Sequence, residues 1–484
     1  MMNNIAIVGG GIAGIYAAML TKTLKPKANV VLIEQGDVLG GLLASKTFTK
    51  SNADGGESVS LEFDYGTHVP RMIGHSDIDN LLFGALDKTQ WRLFNDINAA
   101  NVSLNNALYT RSAAPYIGPE NNPQHESHFA QMLQASKLTD MSYHNLKQQL
   151  IHQYGSGYVN SFFAPCLQQK LGVGIEQLAP DTHKLIGLGR IIVDNANRMR
   201  ELKTQDKFDD ILSFADQTDG MSNLSNMYPE NGRGIGLWVE SLTKQLKQLG
   251  VIIKTGCHVT EILRNGKEAK HIWLSDNSEY AIDYLCWCGP AFSLIHAARL
   301  NFTSQYRPQI RQTRLYHFAF DKPFTIDSNY VDVNDPQYKS FRVTLYPNLS
   351  GHNMHTQGNE GTSKSHYKCT VEVIEAQNAT NSPSPSDIEQ EIREMGLIHA
   401  NSTCIFQAQD IVKAGFPIMT PEFHKEVARQ QTAISSQLSN VSALGKASGK
   451  SFFMAQVLVD AHEQLSHLLA QQNESQENLR TRTA

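Results

Sequence analysis

Apolar positions recur along this chain in two periods, and the switches between them mark its elements. A short apolar run, Ile5-Ala6-Ile7-Val8, passes straight into Gly9-Gly10-Gly11-Ile12-Ala13-Gly14. Residues 15–20 have helical character, and a second apolar run, Val30-Val31-Leu32-Ile33, ends on Glu34. This predicts strand, glycine turn, helix, strand. Residues 45–60, with Asp54-Gly55-Gly56-Glu57, read as a polar hairpin or loop, and 61–68 alternate as a strand. A short helix is expected over 76–86, capped by Ser76 and Asp77. From 127 to 214 the pattern is largely helical: 143–154, then 158–171 with a break at Pro165, then a polar surface helix over 194–213.

The pattern changes again at Tyr228. A glycine-rich loop (228–236) feeds an amphipathic helix carrying Leu237, Leu242, Leu246 and Leu249, stopped at Gly250. Strands are expected over 251–254, 258–262, 271–274 and 284–288, so the chain returns here to its opening domain. A second excursion alternates as strands over 314–320, 341–346 and 367–374, with loops at 351–365 and 382–385. It predicts an antiparallel sheet beneath a substrate pocket. The last return runs from Cys404 through a helix over 421–438 and a strand over 441–444 to Gly445-Lys446, then a final helix over 453–469. Residues from Gln471 onward are polar and read as a flexible tail.

Composition narrows the class. The chain has 484 residues, 41% hydrophobic and 18% charged, which fits two domains with ample core and no global disorder. Its 42 basic and 47 acidic residues give −5, with both signs interspersed and no basic face for nucleic acid. Six scattered cysteines lack the spacing of a redox or zinc motif and read as thiols of a reducing cytosol. No apolar window approaches a membrane span, and nothing reads as a signal peptide. A cytoplasmic, soluble protein is expected, with a small-molecule substrate; a homodimer is compatible with the sequence.

The chemistry concentrates at the N-terminus. In a Gly-x-Gly-x-x-Gly turn, Gly9 permits the tight turn, Gly11 lets a pyrophosphate approach the backbone, and Gly14 lets helix and strand pack closely. The helix N–H groups and dipole face the phosphates. Glu34, twenty residues beyond Gly14, can accept hydrogen bonds from a ribose. A second pair, Gly40-Gly41, follows the acid; an extended flavin dinucleotide needs such further backbone contact, whereas NAD alone does not.

In order and spacing these segments resemble the flavin-containing amine oxidase and protoporphyrinogen oxidase superfamily, with its relative UDP-galactopyranose mutase. The resemblance rests on Gly9, Gly11, Gly14 and Glu34, then Gly40-Gly41, Asp64-Tyr65-Gly66-Thr67-His68 and Lys170-Leu171-Gly172 with Leu178. It continues through Tyr228-Pro229 with Gly232, Val259, Asp283 with Pro290, and Gly445-Lys446. It implies an α/β fold: a Rossmann-type (glutathione-reductase-like) FAD-binding domain formed by residues 1–75, 226–295 and 400–470. An inserted α+β substrate domain would occupy 76–225 and 296–399, and the tail 471–484.

The cofactor implied is FAD. Gly9, Gly11, Ile12, Ala13, Gly14, Gly40, Gly41 and Leu42 would line it, Glu34 and Gln35 would meet the adenosine ribose, and Val259 would contact adenine through its backbone. His68, Gly445, Lys446 and Phe453 would lie by the isoalloxazine ring. The implied activity is hydride removal from a small organic substrate, with a non-redox sugar-nucleotide mutase as the alternative. The chain departs from the pattern at Leu42 and Lys446, where relatives often carry arginine or an acid, and it offers no evident pair of diphosphate-binding arginines.

Several side chains invite a role of their own. His68 can polarise or deprotonate substrate, or it can bond backbone and shape its turn. Arg71 and Arg233 can each bind an anion or serve a structural ion pair. Tyr346 can frame the flavin pocket or fill core. His125-Glu126-Ser127-His128 has no third ligand at sensible spacing and reads as a loop; no metal is expected.

Overall fold

The computed structural model describes the chain except residues 1–2, 51–58, 95–96, 111, 136–141, 215–224, 231, 352–353, 358–362, 450 and 484. The apolar opening run becomes strand β1 (Asn4–Val8), the glycine turn leads into helix α1 (Ile12–Leu24), and β2 (Asn29–Ile33) lies parallel to β1. The sheet they found has five parallel strands, in the order Val441–Ala443, Tyr284–Trp287, β1, β2 and Ile252–Lys254. It is therefore assembled from the beginning, middle and end of the chain. Its three central strands are largely buried on both faces, as parallel strands covered by helices must be, while the edge strands Ile252–Lys254 and Val441–Ala443 stay partly exposed. The final helix (Met454–Thr483) packs against α1, and Val457, Leu458, Ala461, Leu465 and Leu469 are its buried face. It continues through the segment after Gln471 that the sequence marks as a tail. A three-stranded meander, Val259–Asn265, Glu268–Leu274 and Glu279–Ala281, covers one flank.

The second layer is an eight-stranded sheet. Its order is Cys404–Pro417, Ile310–Phe320, Ser363–Ala376, Ser340–Leu345, Tyr330–Val333, Ala99–Ser103 and Ala107–Tyr109, with Met354–Gln357 pairing Ser363–Ala376. A hairpin, Ser45–Lys50 with Val59–Asp64, runs from the parallel sheet toward it; its connecting Asp54-Gly55-Gly56-Glu57 lies outside the described residues. A helical lobe with its own apolar core, including Tyr154, Tyr158, Phe162, Phe163 and Leu167, packs alongside.

Five expectations are corrected. Cys404–Pro417 does not return to the dinucleotide domain but pairs antiparallel with Ile310–Phe320, because its alternation matches the edge of the large sheet. Residues within 351–365 are not all loop, since Met354–Gln357 forms a hairpin arm with Ser363–Ala376. His125–Ala135 is a helix, so His125 and His128 sit three apart on one buried face against Tyr158 rather than in a loop. Pro165 breaks nothing: it occupies the first turn of Ala164–Leu171, where its missing N–H is harmless. The irregularity lies earlier, at Gly155 (φ 75°), followed by a π turn over Val159–Phe163. The polar stretch 194–213 likewise divides into Ala196–Leu202 and Asp206–Asp209, and buries Met199, Leu202, Phe208 and Leu212.

Candidate functional site

The first glycine turn is held shut by its own backbone and by Glu34. Gly9 N–H donates to the Ile33 carbonyl at 2.8 Å. A Cβ on Gly14 would stand 1.9 Å from the Gly9 carbonyl oxygen, which is backbone and cannot yield. Glu34, half-buried at the end of β2, accepts from Gly10 N–H (2.6 Å) and Gly36 N–H (2.7 Å), one per carboxylate oxygen. Each oxygen keeps a lone pair for a hydroxyl. Gln35 beside it is exposed.

Two further turns close on this one. Gly40 (φ 109°) donates to the Gly10 carbonyl at 2.8 Å, and a Cβ on Gly41 would lie 3.4 Å from Gly11 Cα. Leu42 is half-buried in the turn Gly41–Leu43. Far along the chain, Leu444 N–H donates to the Trp287 carbonyl (2.8 Å), which brings Gly445 (φ 60°) against Ala13: a Cβ there would be 3.0 Å from the alanine methyl. Cys257 N–H donates to the Glu34 carbonyl (3.3 Å), so the strand beginning at Val259 starts beside the acid.

Gly11 differs from its neighbours. Its backbone is ordinary for any residue (φ −70°, ψ −180°), and a Cβ there would meet nothing within 4 Å. Neither strain nor packing within the protein requires glycine at that position. The open space before it, at the N-terminus of α1, is what an approaching pyrophosphate needs, so these residues fit a dinucleotide.

His68 and Lys446 lie within electrostatic reach of each other, and Phe453 directly precedes the final helix. His68 Nε2 lies 3.3 Å from the Tyr65 carbonyl. Burial lowers its pKa to about 4; the backbone bond opposes this, and the charges of Arg342 and Lys446 assist it. The imidazole is thus neutral at physiological pH and a weak base. The Lys446 ammonium lies 4.7 Å from the centre of the Phe452 ring, with its pKa lowered by burial. Phe453 is 48% exposed. Arg71 is exposed, and its backbone bridges Asn226. Arg233 pairs with Glu240 (2.5 Å) and Glu62 (3.4 Å).

Asp64, Thr67 and Gly66 anchor the loop that carries His68. Asp64 is 1% exposed and accepts from Tyr228 Oη (2.6 Å), Ser45 Oγ (2.7 Å) and Ile235 N–H (3.1 Å). Burial nevertheless raises its pKa. Tyr346, buried, bonds Asp64 N–H (3.1 Å) and Thr370 Oγ1 (2.8 Å), and so belongs to the core. Gly66 (φ 106°) leaves room for Glu372: a Cβ would come within 2.8 Å of that carboxyl carbon.

Sequence reasoning missed the charged face of the large sheet. Arg342 Nε donates to Asp332 at 2.5 Å, and Thr67 N–H donates to Glu372 at 2.9 Å. Burial opposes the Arg342 charge, but Asp332 and Glu372 together raise its pKa. Burial raises that of Glu372, while Arg342 and the Thr67 N–H oppose the rise. The signal lay in the alternation: Arg342, Thr344, Thr370 and Glu372 interleave with Val343, Leu345, Val371 and Val373, which are core. Between this sheet and the helical lobe lies a cavity of about 100 Å³, lined by Leu171, Phe341, Ile374, Phe416, Pro417 and Phe452 among others. Phe452 joins its wall to the Lys446 turn.

Residues 7–76 match the family of NAD(P)-binding Rossmann-like domains. No curated protein matches the chain in sequence. Among solved structures, a reduced UDP-galactopyranose mutase superposes with a TM-score of 0.71 at 15% identity, over 97% of this chain and 94% of its own. A protein assigned as a protoporphyrinogen oxidase from Exiguobacterium sp. 255-15 gives 0.62 at 14%, over 97% and 99%. The chain shares the fold of these two structures over nearly its whole length. A CLA-producing fatty acid isomerase from P. acnes has it too, with a TM-score of 0.52 at 14% identity over 96% and 98%. Within this fold the Rossmann-like unit is α/β, and among the described residues no helix is long and apolar enough to cross a membrane.

Proposed function

We propose that this chain is an FAD-dependent oxidoreductase that takes a hydride from a small organic substrate with an apolar body. The observation that carries this reading is the bare Gly11, where two glycine turns of the N-terminal segment meet and the Gly445 turn from the far end of the chain packs on the neighbouring Ala13. The chemistry such a bound flavin would supply is acceptance of a hydride at N5, with oxygen or another acceptor taking the electrons on. Residues 9–14, with Ile12 and Ala13 opening α1, bind the pyrophosphate through N–H groups and the helix dipole, and Gly40, Gly41 and Leu42 close over it. Glu34 and Gln35 hold the ribose, and the Val259 backbone meets adenine. The Gly445 turn, Lys446 and Phe453 frame the ring end, where the lysine favours negative charge.

His68 and Arg71 are the candidate catalytic side chains. A neutral His68 orients substrate by hydrogen bonding better than it removes a proton. The apolar cavity, with Phe452 in its wall, offers contact for part of an apolar substrate. The mutase alternative needs a pair of arginines to clamp a diphosphate, and of the candidates only Arg71 is exposed. Arg342 is committed to Asp332, and Arg311 donates to the Lys170 carbonyl at 2.9 Å.

The test is anaerobic: the flavin-loaded protein is mixed with amines, porphyrinogens, unsaturated acids and sugar nucleotides. An apolar member should bleach the flavin. Ring contraction of a UDP-sugar by the reduced protein, with no bleaching by any oxidisable compound, would favour the mutase reading instead.

A further inference from the structure

A second cluster joins the entrance of helix α2 (Ser76–Phe83) to the middle of the final helix. His75 caps α2, Asp77 lies in its first turn, and His462 projects beside the buried face of the final helix. One ring nitrogen from each histidine and one Asp77 carboxylate oxygen all lie within 4.8 Å of one another. The imidazole centroids are 4.4 Å apart, with the rings tilted by 56°.

Three features prepare this cluster for a ligand. Nδ1 of His75 is shielded from water, yet among the described residues nothing hydrogen-bonds it. A buried ring nitrogen in that state costs free energy unless a further partner meets it. Nδ1 of His462 is engaged by the hydroxyl of Tyr16 at 2.6 Å, a buried side chain of α1. Metal-ligating histidines have this kind of outer partner, which fixes the tautomer and aims the other nitrogen. For His462 that nitrogen, Nε2, has only Ser466 Oγ at 3.5 Å, the limit of a hydrogen bond. The loop before α2 is also clamped: Ile73 and Gly74 N–H donate to the two Asp79 carboxylate oxygens at 2.8 and 2.9 Å, and Asp79 N–H donates to the His75 carbonyl at 2.9 Å. Its geometry is set before any ion arrives.

We propose that His75, Asp77 and His462 bind a divalent transition metal of the zinc type, with Tyr16 as outer partner. Two imidazoles and one carboxylate suit zinc, nickel or cobalt, whereas magnesium and calcium prefer oxygen-only sets. The exposed Asp77 leaves a fourth position for water. The ion clasps the final helix to the segment that follows the His68 loop. Because it binds the folded chain alone, it raises thermal stability.

The experiment uses full-length, flavin-loaded protein with any histidine tag removed and metals stripped by chelator. Zinc chloride is titrated in a calorimeter and in thermal melts, with magnesium and calcium chlorides as comparators. Uptake of one Zn2+ per chain with a raised melting temperature is expected, and no response to the other two. His75→Gln and His462→Gln should abolish the signal, and Tyr16→Phe should weaken binding by about 10–100-fold. Asp77→Asn, at an exposed position, keeps the test free of folding artefacts and should also weaken it. Flavin content should be unchanged in Asp77→Asn, which separates this site from the flavin reading. Absence of zinc uptake by the unmutated protein overturns the proposal. So does uptake undiminished in His75→Gln and Asp77→Asn, or an equal response to magnesium.

Discussion

Replacing Gly11 by alanine separates the two reasons a glycine can stand in a turn. The new methyl meets no protein atom within 4 Å, and the backbone is already extended at φ −70°. Loss of glycine at a helix N-cap costs about 1 kcal/mol, while the lower entropy of the unfolded chain returns about 0.4–1 kcal/mol. Apoprotein stability should therefore change by less than about 1 kcal/mol. The cofactor is affected differently. A methyl driven into a filled phosphate cradle costs about 1–3 kcal/mol, which at about 1.4 kcal/mol per decade weakens FAD by roughly 5- to 140-fold. The assays are denaturant unfolding of the flavin-free protein and fluorescence titration with FAD. Gly14→Ala is the control, because its Cβ would sit 1.9 Å from the Gly9 oxygen and both readouts should collapse. An unchanged FAD affinity in Gly11→Ala, or an apoprotein destabilised as severely as Gly14→Ala, would refute the reasoning.

Three further outcomes follow from the same geometry. Tyr228→Phe removes a donor 2.6 Å from the buried Asp64 carboxylate and should cost about 1.5–3 kcal/mol of stability in denaturant unfolding, with no change a mark against the network. His68 and His317 have pKa values lowered by burial to about 4 and about 3. The unfolded chain then binds more protons below about pH 6.5, so their contribution is whole above that pH and is lost as pH falls toward 4. His317→Gln should flatten this slope in unfolding curves taken across that range. Lys446→Met removes a positive charge from the ring end and should move the flavin potential to more negative values in a dye-equilibration titration, a shift in the opposite direction counting against its placement.

What the sequence made legible was local. The strand, turn and helix of residues 4–24 and the acid at 34 are written in contiguous residues, because each glycine serves its own turn. Gly40-Gly41 could be noticed for the same reason. Strand pairing is not local: Cys404–Pro417 alternates correctly, but nothing in those residues says which sheet they join. Arg342 and Asp332 lie ten residues apart on neighbouring strands, so their ion pair depends on register. His75 and His462 meet only because the final helix folds back along α1, a relation no spacing rule encodes. The charged face of the large sheet could have been read from its alternation; the orientation of that face could not.

The central claim is that two glycine turns of the N-terminal segment and one from near the end of the chain form one cradle for FAD. Its most direct test is the flavin content of the full-length protein, read by visible absorbance and by mass analysis of the compound released on denaturation. About one FAD per chain is the predicted result, either as purified or after incubation with FAD. A colourless protein that takes up no FAD from solution would contradict the account.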